Sequence, residues 1–125
     1  MSKLKKILIV DDSEAIRISL KEILESSGIP CEILESEDGL EAVKIYKEDN
    51  PDVVIMDVYM PKVNGIKALQ SILQIDNKAK VVMITAAAKS KLVRQSIGIG
   101  AKDYILKPFD RIIVSNIVGN VLNKS

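Results

Sequence analysis

The chain contains no histidine and a single cysteine, Cys31. The first absence removes Ser-His-Asp and Cys-His nucleophiles and any zinc site built on imidazole. The second removes an internal disulfide. Any metal must then be held by oxygen, which points to magnesium, manganese or calcium. Cys31 opens a strand-like run with no evident basic partner to activate its thiolate, so it reads as a small, half-buried structural residue.

Aromatic residues make up only 3% of the chain, and charge of one sign is lacking too: 18 Lys and Arg face 17 Asp and Glu, for a net +1. No basic stripe is offered to nucleic acid, and no global field draws the chain to anionic lipid. The Lys3, Lys5, Lys6 cluster flanks a strand and reads as a solvated edge. No apolar stretch is long enough for a bilayer, and the apolar run near the N-terminus is too short for a signal peptide. The expectation is a soluble, reduced, cytoplasmic protein with no nucleic-acid or membrane partner.

What is present is regular. With 125 residues, 47% of them hydrophobic, the chain can bury the core of one domain spanning 1–125. No repeat, linker or low-complexity segment interrupts it, and no output domain is expected after the last helix. Apolar strand-like runs alternate with helix-period segments throughout. Strands are expected at Lys5–Val10, Cys31–Glu35, up to Asp57, up to Thr85, and up to Lys107-Pro108. Helices are expected at Ser13–Ser26, Leu40–Lys47, Ile66–Leu73 and Lys89–Ile97, with a last one capped by Asp110. Ala15, Ile16, Ile18, Leu20, Ile23 and Leu24 would face inward on the first, and Leu40, Ala42, Val43 and Tyr46 on the second. On the last, Ile113, Ile117 and Val121 would form the stripe, with Val114, Val118 and Leu122 beside them.

Continuous apolar strands mark burial on both faces. Five βα units then predict an α/β fold: a doubly wound, five-stranded parallel sheet in flavodoxin-like order 2-1-3-4-5 with helices on both faces. In that order the first and third strands are neighbours. Ile7-Leu8-Ile9-Val10 ends in Asp11-Asp12, and Val53-Val54-Ile55-Met56 ends in Asp57. Val81-Val82-Met83-Ile84 ends at Thr85, and Tyr104-Ile105-Leu106 at Lys107. Ligands of open α/β sheets bind outside the carboxyl ends of the strands, so these residues are expected to form one site.

Three carboxylates in one pocket repel, and without compensation at least one would take up a proton. Mg2+, or Mn2+ in its place, resolves this through oxygen ligands. Asp57 stands alone after its strand and can act as a carboxylate nucleophile, forming an acyl phosphate. Lys107 and the Thr85 hydroxyl would neutralise or bond the phosphoryl oxygens. An EF-hand is excluded, because the ligand spacing and the required Gly are missing after Asp11.

Four segments, in order and at family-like spacing, resemble the CheY-like receiver domain of bacterial and archaeal two-component response regulators. They are Ile7–Ser13, Pro51–Pro61 with Asn64-Gly65, Val81–Ala86, and Gly100–Phe109. The resemblance implies that Asp57 accepts phosphate from a sensor histidine kinase or histidine phosphotransfer protein. Asp12 would bind Mg2+ directly, Asp11 largely through water, and the Tyr59 carbonyl would be a further ligand. Thr85 and Tyr104 would be the switch pair, remodelling the face of helix four, strand five and helix five for a downstream effector or a missing output domain. On that face Lys91, Arg94, Gln95 and Lys102 are the candidate contacts. The protein would be a monomer or a phosphorylation-dependent dimer. It would be no enzyme beyond its own phosphoryl transfer and autodephosphorylation. Tyr59 and Ala87, two residues after Asp57 and Thr85, offer no acid or amide to orient a hydrolytic water, which implies a long-lived aspartyl phosphate.

Two other readings compete. A magnesium-dependent phosphohydrolase with an aspartyl nucleophile usually carries a second Asp two residues later, where this chain has Tyr59. A receiver-like module that is never phosphorylated would not need Asp11, Asp12, Asp57, Thr85 and Lys107 together.

Overall fold

The computed structural model describes residues 4–60, 63–86 and 91–124. Its elements run β1 (Lys5–Val10), α1 (Glu14–Glu25), β2 (Cys31–Ser36), α2 (Gly39–Asp49), β3 (Val53–Asp57), α3 (Gly65–Ile75), β4 (Val81–Thr85), α4 (Lys91–Ile99), β5 (Asp103–Leu106) and α5 (Arg111–Asn123). The strands pair in parallel in the order β2-β1-β3-β4-β5, as the alternation predicts. Among the described residues no helix is long and apolar enough to cross a membrane.

Period-two alternation along the strands divides the core into two layers. Leu8, Val10, Val54, Met56, Val81 and Met83 point to the side where Ala42, Tyr46, Leu69 and Ile72 of α2 and α3 pack. Ile7, Ile9, Val53, Ile55, Val82, Ile84 and Ile105 point to the other side, against Leu20 and Leu24 of α1 and Val114, Val118 and Val121 of α5. Each fully buried side chain of this size contributes about 1.5–3 kcal/mol relative to exposure. The three central strands are buried on both faces, which is why they read as unbroken apolar runs.

Short polar side chains start four of the helices. Ser13, Asp38, Asn64 and Asp110 each accept a hydrogen bond from the backbone N–H three residues on. Such caps are worth about 1 kcal/mol apiece. α2 stops at Asn50, whose left-handed backbone (φ 48°) turns the chain into Pro51. The expected bounds differ at the ends. α3 continues past Leu73 to Ile75, α4 ends at Ile99 rather than Ile97, and β5 stops at Leu106 before Lys107. The expected α4 start at Lys89, together with Pro61 and Ala87, lies outside the described residues.

The inward faces need correction in three helices. Ile18 and Leu40 are exposed, the latter at 63%. Each lies two positions from a buried neighbour, Leu20 or Ala42. Two residues turn a helix by about 200°, so both members of such a pair cannot face the sheet. Ala15 is exposed for the same reason, two residues before buried Arg17. In α5 the buried stripe is Val114, Val118 and Val121, while Ile113 is 48% exposed. Val121 is buried and Ile117 packs against the same layer, as expected, whereas Ile113, about 100° around the helix from Val114, lies at the edge of the stripe.

Candidate functional site

Asp11 extends β1 by one residue: its N–H donates to the Ser36 carbonyl at 3.1 Å. It therefore stays within the sheet and is only 1% exposed. Its carboxylate accepts from the Ser13 N–H at 2.9 Å. The chain then turns outward into the Ser13 cap, which leaves Asp12 exposed. Asp57 ends β3, opposite Ile84 of β4. It is 5% exposed, and its Oδ1 accepts from the Tyr59 N–H at 3.2 Å.

Val10 lies opposite Met56 in the β1–β3 ladder, so the residues that follow them emerge side by side. Asp11, Asp12 and Asp57 each offer a carboxylate oxygen, and the three oxygens lie within 4.8 Å of one another. Lys107 follows β5, anchored by its N–H to the Thr85 carbonyl at 2.8 Å. Its Nζ reaches back to Asp11 Oδ2 at 3.1 Å and Asp57 Oδ2 at 3.5 Å. One ammonium faces three carboxylates.

Electrostatics at the site are accordingly unbalanced. Burial, and next the charge of Asp11, push the Asp57 carboxyl above its ordinary value, against the pull of Lys107 and the Tyr59 N–H. Burial alone would lower the Lys107 ammonium. The hydrogen bond to Asp11 and the charges of Asp57 and Asp11 outweigh that and raise it. A hard divalent cation fits this donor set. Octahedral magnesium with ligands at about 2.0–2.1 Å separates opposite oxygens by about 4.2 Å, close to the spread of the three carboxylates. The cation would offset the Asp11 charge that adds to burial in raising Asp57.

Thr85 is fully buried at the end of β4, one strand over from Asp57. Tyr104 sits in β5 opposite Met83, two residues before Thr85 in β4, and is 38% exposed. Tyr59 is exposed next to Asp57, and Lys91, Arg94 and Gln95 on α4 and Lys102 before β5 are exposed elsewhere on the surface. The structure thus brings Asp11, Asp12, Asp57 and Lys107 into direct proximity, with Thr85 at the adjoining strand end. A hollow of about 190 Å³ lined by Lys5, Tyr46, Asp52, Asp76 and Lys80 lies at the opposite, amino-terminal edge of the strands.

Two positional residues were not legible as such. Arg17 is buried, donating to the Asp11 carbonyl at 2.7 Å and to Glu35 at 3.0 Å. The sequence signal was a charged residue in the Arg17-Leu20-Leu24 stripe of α1. Gly65 starts α3 against the Asp57 backbone: its N–H donates to the Val58 carbonyl at 2.9 Å. A Cβ there would overlap the Asp57 carbonyl oxygen and press on Met83 and Val58. In the sequence the Asn64-Gly65 pair belongs to the segments that carry the family resemblance, but nothing local marks the close approach to the Asp57 backbone.

Comparison with known proteins gives a consistent family. The family model described as the response regulator receiver domain matches residues 7–118. Protein CcdB of Bacillus subtilis is 44% identical over 117 residues, covering 94% of this chain and 97% of that one. The chemotaxis protein CheY of the same organism is 42% identical over 118 residues, covering 94% and 98%. The crystal structure of the CheX–CheY–BeF3–Mg2+ complex from Borrelia burgdorferi superposes with a TM-score of 0.87 at 40% identity, covering 96% of this chain and 90% of that one.

Proposed function

The chain belongs to the receiver-domain family of response regulators, and on that premise we propose that it is a phosphorylation-activated switch whose phosphoacceptor is Asp57. The observation that carries this reading is the cluster itself: three strand-end carboxylates within 4.8 Å, bridged by a single lysine.

Asp57 is the nucleophile. A carboxylate oxygen attacks the phosphorus of a phosphohistidine, the O–P bond forms as the P–N bond breaks, and the imidazole leaves with the electron pair and takes up a proton. The phosphohistidine belongs to a kinase or phosphotransfer partner, because this chain has no histidine. Asp11, Asp12, Asp57 and the Tyr59 carbonyl would hold Mg2+, or Mn2+, which would supply charge neutralisation for the phosphoryl oxygens. Burial raises the proton affinity of Asp57 and Lys107 opposes that rise; a bound cation would act in the same direction as Lys107. Lys107 pairs with one phosphoryl oxygen and the Thr85 hydroxyl donates to another.

Phosphorylation adds about −1.5 to −2 charges and new acceptor oxygens at the strand ends. Thr85 moves toward them, and Tyr104, exposed in this structure, turns inward into the space released. The face of α4, β5 and α5 then changes partner. The exposed side chains there are apolar as well as charged: Ile97, Tyr104, Leu106, Ile112 and Ile113 join Lys91, Arg94, Gln95 and Lys102. The protein catalyses only its own phosphoryl transfer and release. It works as a monomer or phosphorylation-dependent dimer in the cytoplasm and passes its state to an effector protein or an output domain.

Treatment with acetyl phosphate and Mg2+ should add one phosphoryl group to the natural protein and none to Asp57→Ala, read by intact mass. Beryllofluoride with Mg2+ should shift the amide resonances of Thr85 and Tyr104. No mass increase on the natural protein would refute the reading.

A further inference from the structure

Arg17 is the buried cation that the phosphoryl chemistry leaves unexplained. It sits on α1 with only 8% of its surface exposed. Its Nη1 donates to the Asp11 carbonyl at 2.7 Å. Its Nε bonds Glu35 at 3.0 Å, and Nη2 lies 3.8 Å from Glu37. Glu35 belongs to β2 and Glu37 follows it, so the guanidinium ties α1, the β1–α1 loop and the end of β2 together. Burying a charge is costly unless it is paired and hydrogen-bonded. Here the two glutamates do the pairing, and the net result is one firm bond to one carbonyl.

That carbonyl lies between the two acids of the β1–α1 loop, in the peptide joining Asp11 to Asp12. The loop is closed from both sides. The Ser13 N–H donates to the Asp11 carboxylate, the Arg17 N–H donates to the Ser13 carbonyl, and the Arg17 side chain clamps the Asp11–Asp12 peptide. Among the described residues no side-chain hydrogen bond or ion pair restrains the exposed Asp12 carboxylate. Its position depends on the backbone on either side. We infer that Arg17 is a positioning residue for the divalent cation, holding the Asp11–Asp12 peptide so that both carboxylates converge with Asp57. This rests on the metal-dependent reading above.

The sign of the effect separates positioning from simple charge. A cation near three carboxylates opposes metal binding, so electrostatics alone predicts that Arg17→Ala binds a divalent cation more tightly. Positioning predicts the reverse. Loss of groups that orient metal ligands typically weakens affinity 10–100-fold. Lysine keeps the charge, but one ammonium cannot reproduce a planar fork that bonds Asp11 and Glu35 together.

The test is direct Mn2+ titration by calorimetry without any phosphodonor, on folded protein verified by circular dichroism. The natural protein, Arg17→Ala, Arg17→Lys, Glu35→Gln and Val118→Ala are compared. Arg17→Ala should lose about 10-fold or more in affinity, Arg17→Lys should recover part of it, and Glu35→Gln should show a smaller loss. Val118→Ala opens a cavity in the core layer shared by α5 and α1 without touching the bonds of Arg17, and should lose stability without losing affinity. Should Arg17→Ala not fold, Arg17→Lys and Glu35→Gln carry the test. Affinity unchanged or increased in the folded Arg17 variants, while the natural protein binds Mn2+, overturns the inference alone. A natural protein that binds no Mn2+ overturns it together with the metal-dependent switch.

Discussion

Gly65→Ala and Gly119→Ala make the same chemical change and should act in opposite directions. At Gly65 the new methyl would overlap the Asp57 carbonyl oxygen and stand 3.0 Å from both Met83 Cε and Val58 Cα. Met83 can rotate its terminal methyl, but the other two obstacles are backbone. The approach is also fixed from the helix side, by the Gly65 N–H bond to Val58 and the Asn64 cap on Lys67. Relief therefore requires moving either the end of β3 or the start of α3. Forced overpacking of this kind costs about 1–3 kcal/mol, and a backbone obstacle belongs at the upper end. The reduced entropy of the unfolded chain returns about 0.4–1 kcal/mol. The net expectation is a loss of about 2 kcal/mol. With a urea slope of about 1–3 kcal/mol per molar, the midpoint should fall by roughly 1 M.

Gly119 lies inside α5, where a Cβ would meet nothing within 4 Å. Alanine there should gain about 0.5–1 kcal/mol and raise the melting temperature by about 3 °C. Both values come from urea and thermal unfolding followed by far-ultraviolet circular dichroism, since the chain has no tryptophan. The Gly65 variant carries a second signature. The displaced strand end bears Asp57, so phosphoryl uptake from acetyl phosphate should slow more than stability alone explains. A Gly65→Ala midpoint equal to the natural one, or a Gly119→Ala midpoint below it, would refute the reasoning from local space.

Asp57→Asn should be more stable than the natural protein at neutral pH without metal. The fold raises the proton affinity of Asp57, so the stability that goes with the protonated acid is lost as pH rises. The gap in urea midpoints should close below the ordinary carboxylate range, and it should narrow at neutral pH when Mg2+ is added; a gap independent of both would contradict this. Lys107→Ala removes the ammonium that bridges Asp11 and Asp57, a loss of about 1.5–3 kcal/mol for charged hydrogen bonds, and Mg2+ should restore part of it in the same assay. Tyr59→Asn with Ala87→Glu should shorten the lifetime of the aspartyl phosphate, measured as phosphate release in Mg2+; an unchanged rate would remove any role for these flanking positions in protecting it.

The strand-end acids were legible because of how a parallel sheet buries its strands. Ile7–Val10 and Val53–Met56 are covered on both faces, so apolar residues run without interruption and the first acid marks where the sheet ends. Crossover handedness reduced the strand orders to a few, and the flavodoxin-like one among them, which the structure has, puts Asp11 and Asp57 side by side. The rotation of individual helices was less legible. Ile18, Leu40 and Ile113 are apolar by type, yet each lies away from the buried stripe, because helical phase depends on where the cap starts the turn. Arg17 was the hardest to read. Its burial makes sense only with Glu35 beside it, and a pairing across 18 positions leaves no local pattern.

Arg17 and Gly65 solve one problem in two ways. Each belongs to the first turns of the helix that follows an acid-bearing strand, and each acts on that acid's main chain rather than on its carboxylate. Arg17 bonds the Asp11 carbonyl, while Gly65 seats α3 against the Asp57 carbonyl and bonds that of Val58. On the proposed reading the carboxylates exchange partners among lysine, cation and phosphoryl group, and beyond Lys107 each accepts one backbone N–H, from Ser13 or Tyr59. Clamping the backbone leaves those oxygens available and still fixes where they project. The difference is chemical: Arg17 supplies a donor that lysine can only partly replace, whereas Gly65 supplies space that no side chain can. Substitutions at the two positions should therefore alter the geometry of the acids while leaving their number and charge intact.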